Sequence, residues 1–217
     1  MIRLQPVVNT DRPVRLLCIG AHSDDLEIGC GGTILSWLKS IPAVDVTWVV
    51  LSANANRTAE ARKSANALLR GAGRVRTVFG TFRDGYLPAQ YSEAKTFFEE
   101  LKGMEGPDII FTHCLHERHQ DHRLVSELTW NTWRNHLIYE YEIPKYEGDL
   151  RQPNTYVPLT AQVARRKVAH LVRFFGSQRS KDWFRAEVFQ AQMLTRGVEC
   201  RAPSGFAEAF HARKIVL

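Results

Sequence analysis

The chain has 217 residues, 44% of them hydrophobic and 24% charged, enough apolar material to bury one sizeable core as a single domain over residues 1–217. Its formal net charge of +6 is scattered, with Arg165-Arg166-Lys167 as a short basic block, which argues for a solvated surface and against a nucleic-acid stripe. No apolar run is long enough to span a membrane, so neither nucleic acid nor membrane is an expected partner.

The opening, MIRLQPVVNTDRPVR, lacks the apolar stretch of a signal peptide. Val14 to Ala21 reads as a first strand, built on the apolar run Leu16 to Ile19. Three metal-capable side chains follow at once: His22, Asp24 and Asp25. After Gly29, Gly31 and Gly32, the apolar spacing of Ile34, Leu35 and Leu38 predicts a helix over 32–39. Asp45 to Leu51 is a near-continuous apolar strand, as expected where both sheet faces are covered. Arg57 to Leu69 reads as a helix closed by Gly71 and Gly73. Val75 to Phe79 is a short strand and Asp84-Gly85 a turn. Ser92 to Lys102 reads as a helix with Ser92 as its cap, and Asp108 to Thr112 as a fourth strand after Pro107. The alternation predicts a mostly parallel, doubly wound sheet: a Rossmann-like, three-layer α/β fold with its site at the carboxyl edge.

The fourth strand runs into THCLHERHQDHRLV. His113, His116, His119 and His122 recur every third residue, with Glu117 and Asp121 between them. A helix starting near Asp121 would bury Leu124, Val125 and Leu128. Beyond Trp130, Leu137 to Ile143 reads as a strand around Glu140 and Glu142, and Lys145 to Pro158 as a loop beside the substrate or an ordinary connection. Val168, Leu171, Val172 and Phe175 form a buried helical stripe. Asp182 to Arg196 is a further helix, ended by Gly197, and Phe206 to Leu217 a strand-like finish. Trp130, Trp133 and Trp183 are expected in the core rather than stacked on a ligand ring. The four cysteines, Cys18, Cys30, Cys114 and Cys200, are widely spaced, which suits free thiols in a reducing cytoplasm.

Both polar clusters leave carboxyl ends of parallel strands, so one site can draw on both. An imidazole and a carboxylate three residues apart, His22 and Asp25, can meet on one ion, and zinc accepts both donor types. His122 would complete three ligands and leave a fourth position open. Asp24 is then left to take a proton from water, and His119, oriented by Asp121, to act as acid. The plainer alternative makes Asp24 and Asp25 helix caps. His113 and His116 read as surface loop residues or as support for the ligands. LEIGCGG also has the look of a methyltransferase glycine loop, which would make Asp25 to Ile28 a strand and need S-adenosylmethionine instead of zinc. Ser23-Asp24-Asp25 is poor strand material, which argues against it.

The two motifs, Ala21-His22-Ser23-Asp24-Asp25 and His119-Gln120-Asp121-His122, resemble the AHPDD and HPDH motifs of the PIG-L/LmbE-like zinc-dependent deacetylases, with Ser23 and Gln120 in place of the prolines. The resemblance covers roughly residues 14 to 130. It implies zinc on His22, Asp25 and His122, Asp24 as general base, and His119 acting on the leaving group. It adds Arg57, in Arg57-x-x-Glu60, and Asp84 as substrate-binding residues. Ala53-Asn54 departs from the Gly-Glu common in the family. The implied activity is hydrolysis of the acetamide of an N-acetylated amino sugar, of N-acetylglucosamine type, with one Zn2+ per chain. Alternatives are a zinc amidase on a non-sugar N-acyl substrate and, in another class, the methyltransferase. A homo-oligomer is compatible with all of this.

Overall fold

The computed structural model describes residues 11–104 and 106–216; residues 1–10 of the stretch read for a signal peptide, and Leu217 of the expected last strand, lie outside them. The strands are β1 (Val14–Gly20), β2 (Val44–Val50), β3 (Val75–Phe79), β4 (Ile109–His113), β5 (Leu137–Tyr141), β6 (Thr155–Leu159) and β7 (Phe206–Ala212). The helices are α1 (Asp25–Ser40), α2 (Ala55–Leu68), α3 (Tyr91–Lys102), α4 (Gln120–Thr132), α5 (Ala161–Phe174) and α6 (Ala186–Glu199). The strands form one sheet in the order β3-β2-β1-β4-β5-β7-β6. β3 through β5 pair in parallel, and β7 lies antiparallel between β5 and β6.

Alternation along β1 explains the layers. Leu16 and Cys18 face a cluster that includes Ile34 of α1, Leu68 of α2, Leu171 of α5 and Phe189 of α6. Leu17 and Ile19 face the other side, with Phe98 of α3 and Val125 and Leu128 of α4. Both faces are covered, which is why β1, β2 and β4 read as near-continuous apolar runs. Trp133 belongs to this second core, and Trp130 and Trp183 pack against the cores from their edges. All four cysteines are buried and free. Among the described residues, no helix is long and apolar enough to cross a membrane.

Several boundaries differ from expectation, each for a tertiary reason. α1 begins at Asp25, seven residues before the expected Gly32, and runs through Gly29, Gly31 and Gly32. These glycines answer to packing: a Cβ on Gly29 would stand 2.2 Å from the Tyr141 ring, and one on Gly32 would stand 2.7 Å from Leu159. The methyltransferase reading fails here, because Asp25 to Ile28 is helix and not strand. Ser92 does not cap α3, which starts at Tyr91 straight from a 3-10 turn over Leu87–Gln90. The end of the expected loop is β6, recruited by β7. α6 continues past Gly197, where the helix touches the backbone of Gly205; a Cβ there would lie 1.9 Å from the Gly205 carbonyl oxygen. Val172 is 38% exposed, off the buried stripe. Lys167 is no part of a surface basic block: it is buried, 2.6 Å from Glu208 Oε1 and 2.5 Å from the Ile28 carbonyl. Glu208 also accepts the N–H groups of Gly32 (2.7 Å) and Thr33 (2.6 Å), so this pair stitches α1 to α5 and β7.

A second buried polar network lies between α1, α2 and α5. Ser64 Oγ donates to Glu27 Oε1 and stands 2.7 Å from His170 Nε2. Burial pushes the Glu27 carboxyl up to about 8, against the stabilising Ser64 bond. Its ordinary value is 4.5. The folded protein therefore holds a proton that the unfolded chain releases across this interval, and stability from this group falls as pH rises from 4.5 through about 8. Replacing Glu27 with Gln removes that dependence. Thermal unfolding scans should show the melting temperature of Glu27→Gln gaining on the unaltered protein steadily between pH 5 and pH 8. A constant difference across those scans would show that Glu27 titrates as in the unfolded chain.

Candidate active site

β2 lies on one side of β1 and β4 on the other, so the chain reverses its winding direction at the β1–β4 pair. Such a switch point opens a crevice at the carboxyl ends of the strands. β1 delivers His22 and Asp24 on the turn before α1, and Asp25 as that helix's first residue. β4 delivers His113 at its end; His119 is the N-cap of α4, with Asp121 and His122 in its first turn. The Asp24 side chain makes no cap bond, which sets aside the capping alternative. Asp25 Oδ2 turns back instead to accept the His22 N–H at 2.6 Å.

His22 Nδ1 lies 3.1 Å from His122 Nε2 and 3.5 Å from Asp25 Oδ2, and His122 Nε2 lies 3.6 Å from Asp25 Oδ2. Donors of a four-coordinate ion with bonds of about 2.0–2.2 Å stand about 3.3–3.6 Å apart, so the triangle suits a metal ion. The far nitrogen of each ring is held by carboxylates. His22 Nε2 is 3.1 Å from both Asp121 Oδ2 and Asp84 Oδ1. His122 Nδ1 is hydrogen-bonded to Glu117 Oε2. Carboxylates behind ligand histidines fix the tautomer and strengthen the donor atom. The imidazoles of His122, His113 and His22 overcome the effect of burial and hold the Asp25 carboxyl well below the usual carboxylate range. Burial, with the nearby His113, brings His122 down to about 4, which favours the neutral ring that a metal requires.

Asp24 is 2% exposed. Its Oδ1 accepts from Arg57 Nη2 at 2.8 Å, while its buried Oδ2 has no hydrogen-bond partner among the described residues. Burial raises its pKa, and Arg57 partly opposes the rise. Arg57 also donates to Asp84 Oδ2 at 3.0 Å. The expected substrate-binding pair is thus brought together, and its arginine is already engaged with the expected base. Asp84 keeps 56% of its side chain exposed, at the lip. The hydrogen bond from His22 takes its carboxyl down to about 2. Asn54 caps α2 through the Arg57 N–H at 3.0 Å, and Glu60 accepts from the Ser177 N–H and hydroxyl.

His119 Nδ1 accepts the backbone N–H of Asp121 at 3.3 Å, so the neutral ring carries its proton on Nε2. Burial, then His22, lowers its pKa. The Asp121 carboxylate differs from expectation: it faces His22 rather than His119, and anchors the 85–87 turn by accepting from Gly85 N (2.7 Å) and Leu87 N (3.1 Å). His116 is exposed, as a loop residue, but His113 is fully buried. His113 Nε2 accepts the Ala21 N–H at 3.0 Å and lies 3.1 Å from Asp25 Oδ2, and its ring stacks on His122 at 3.8 Å between centroids. Glu117 and Lys145 also join the site; Glu117 carried one signal, a carboxylate five residues before a ligand histidine, whereas Lys145 carried none.

Solved structures share this fold. The chain superposes on N,N'-diacetylchitobiose deacetylase from Pyrococcus horikoshii with a TM-score of 0.67 at 20% identity, covering 94% of this chain and 85% of that one. It superposes on 4-carboxy-2-hydroxymuconate hydratase from Pseudomonas putida with a TM-score of 0.70 at 18% identity, covering 94% and 98%. A teicoplanin deacetylase in its zinc-inhibited form gives a TM-score of 0.66 at 14% identity, covering 91% and 97%. At these identities the likeness shows a shared fold. The model of the PIG-L family, described as GlcNAc-PI de-N-acetylase, matches residues 17–133, more than half of the chain, from within β1 to just past α4. With the fold and this match together, the chain belongs to the PIG-L family of de-N-acetylases.

Proposed function

We propose that the protein is a single-domain, cytoplasmic, zinc-dependent N-deacetylase that hydrolyses the acetamide of an N-acetylated amino sugar. The observation that carries the reading is the triangle of His22 Nδ1, His122 Nε2 and Asp25 Oδ2, with sides of 3.1 to 3.6 Å, beside the buried and unengaged Asp24 Oδ2. His22, Asp25 and His122 would hold the ion, and when bound it supplies Lewis acidity toward water and the acetyl carbonyl.

The remaining steps belong to side chains. Asp24 Oδ2 accepts a proton from the attacking water as the new C–O bond forms, with Arg57 fixing the other oxygen. His119 offers Nε2–H as a hydrogen bond to the oxyanion, because its Nδ1 is occupied by the Asp121 N–H and the neutral ring keeps that proton. Asp24 passes the proton taken from water to the departing nitrogen, the C–N bond breaks, and the amine leaves with acetic acid, which ionises to acetate in solvent. Asp121 acts as a positioning residue, holding His22. At the lip, Asp84 accepts hydrogen bonds from sugar hydroxyls. A glucosamine-type 2-acetamido sugar in a soluble glycoconjugate or biosynthetic intermediate fits these groups.

Metal content, variants and a substrate panel test the reading. Metal analysis should give about one zinc per chain. Asp25→Ala and His122→Ala should each weaken zinc binding by more than the roughly 10- to 100-fold typical of outer contacts, measured by chelator competition. Full zinc retention in the double variant would refute the ligand assignment. Asp24→Asn should keep its zinc and lose about 10²–10⁴ in kcat. Arg57→Ala should lower kcat as well as raise KM, because Arg57 sets the position and charge of the base; an effect on KM alone would reduce it to a substrate contact. Acetate release should be measured over free, nucleotide-linked and lipid-linked N-acetyl sugars and over acyl-amino acids. Turnover confined to acyl-amino acids would replace the sugar with another N-acyl amine.

A further inference from the structure

Lys145 lies beyond β5, outside the stretch matched by the family model. Its side chain is only 6% exposed and reaches three oxygens. Nζ stands 2.7 Å from Asp149 Oδ1, 3.3 Å from the Ile143 carbonyl and 3.3 Å from Glu117 Oε2. That last atom is the one that holds His122 Nδ1. Asp149 is equally buried, and its other oxygen accepts the Arg118 N–H at 2.6 Å. The segment after β5 is thus clamped to the loop that carries Arg118 and Glu117 and leads into α4.

Glu117 needs such a partner. It is 4% exposed, and its Oε1 has no hydrogen-bond partner among the described residues. A buried carboxylate without a cation is costly to keep in place, and relaxes toward solvent or protonation when its partner is removed. His113 Nδ1 stands 3.9 Å from Oε1, and Lys145 brings a cation to 3.3 Å from Oε2, the oxygen that holds His122 Nδ1.

We infer that Lys145 is a positioning residue for the metal centre, acting through Glu117: it fixes that carboxylate against His122 Nδ1 and so presents His122 Nε2 to the ion. The inference rests on the metal reading above. Its signature is coupling, because a residue that acts through Glu117 has nothing to act on once Glu117 cannot hold the ring in the same way.

The experiment is a double-mutant cycle read as zinc affinity of the full chain, by competition with a chelator. Lys145→Met should weaken zinc binding about 10- to 100-fold, the range for outer contacts of a metal site. In the Glu117→Gln background the same change should cost less than about twofold, since coupled residues are not additive. Far-UV circular dichroism of the zinc-free variants checks that each folds. Where Lys145→Met does not fold, Lys145→Gln, which keeps a donor and loses the charge, takes its place with the same expected coupling. Unchanged affinity, or an equal loss in both backgrounds, would overturn the inference and leave the metal reading standing. No zinc binding by the unaltered protein would overturn both.

Discussion

Asp121 Oδ2 accepts the Gly85 N–H and stands 3.1 Å from His22 Nε2, while Oδ1 accepts the Leu87 N–H. One carboxylate therefore joins three segments that follow three different strands: the turn after β1, the turn after β3 and the first turn of α4. Its own backbone N–H holds His119. This works because Asp121 sits in the first turn of a helix, where a negative charge is favoured and where N–H groups lack helical partners. Remove the carboxylate, and two backbone donors lose their acceptor while His22 loses its orientation.

The surrounding charges explain how so many ionisable groups are buried together. Asp24 faces Arg57, Asp25 faces three imidazoles, and Glu117 faces His122 and Lys145. Each carboxylate has at least one cationic or hydrogen-bonding partner, as burial requires. The exceptions are single oxygens. Asp24 Oδ2 is the informative one, since it sits on the residue proposed as base and is turned to neither Arg57 nor the helix N-terminus. Left unengaged, that oxygen is open to a proton from water.

How far the sequence carried these conclusions depends on distance along the chain. His22, Asp24 and Asp25 lie within four residues at the end of an apolar strand, and His119, Asp121 and His122 within four at the end of another. Local order plus the parallel-sheet rule was enough to bring the two groups to one edge. The start of α1 was not legible, because its apolar spacing shows only from Ile34 on and the residue that requires Gly29 to be small is Tyr141, 112 positions away in sequence. The burial of His113 was hidden for the same reason: its partners are the Ala21 N–H and Asp25. Asp121 was placed correctly and aimed wrongly, since spacing says which residues meet on a turn but not which oxygen faces which ring.

The C-terminal third was read thinly, yet it closes the site from behind. Tyr141 at the end of β5 donates its hydroxyl to the Ile19 carbonyl at 2.8 Å, just before β1 turns into the His22 loop. Its ring lies 4.8 Å from that of His113 and fills the space over Gly29. Lys167 of α5 and Glu208 of β7 bind the middle of α1, the helix whose first residue is Asp25. An added strand pair and two helices thus fix the pitch of α1 and the floor beneath His113. Ligand donors must hold their places within fractions of an ångström, so this rigidity bears directly on the metal geometry. A helix anchored only by its own turn would let Asp25 drift relative to His122, which β4 carries on a separate element.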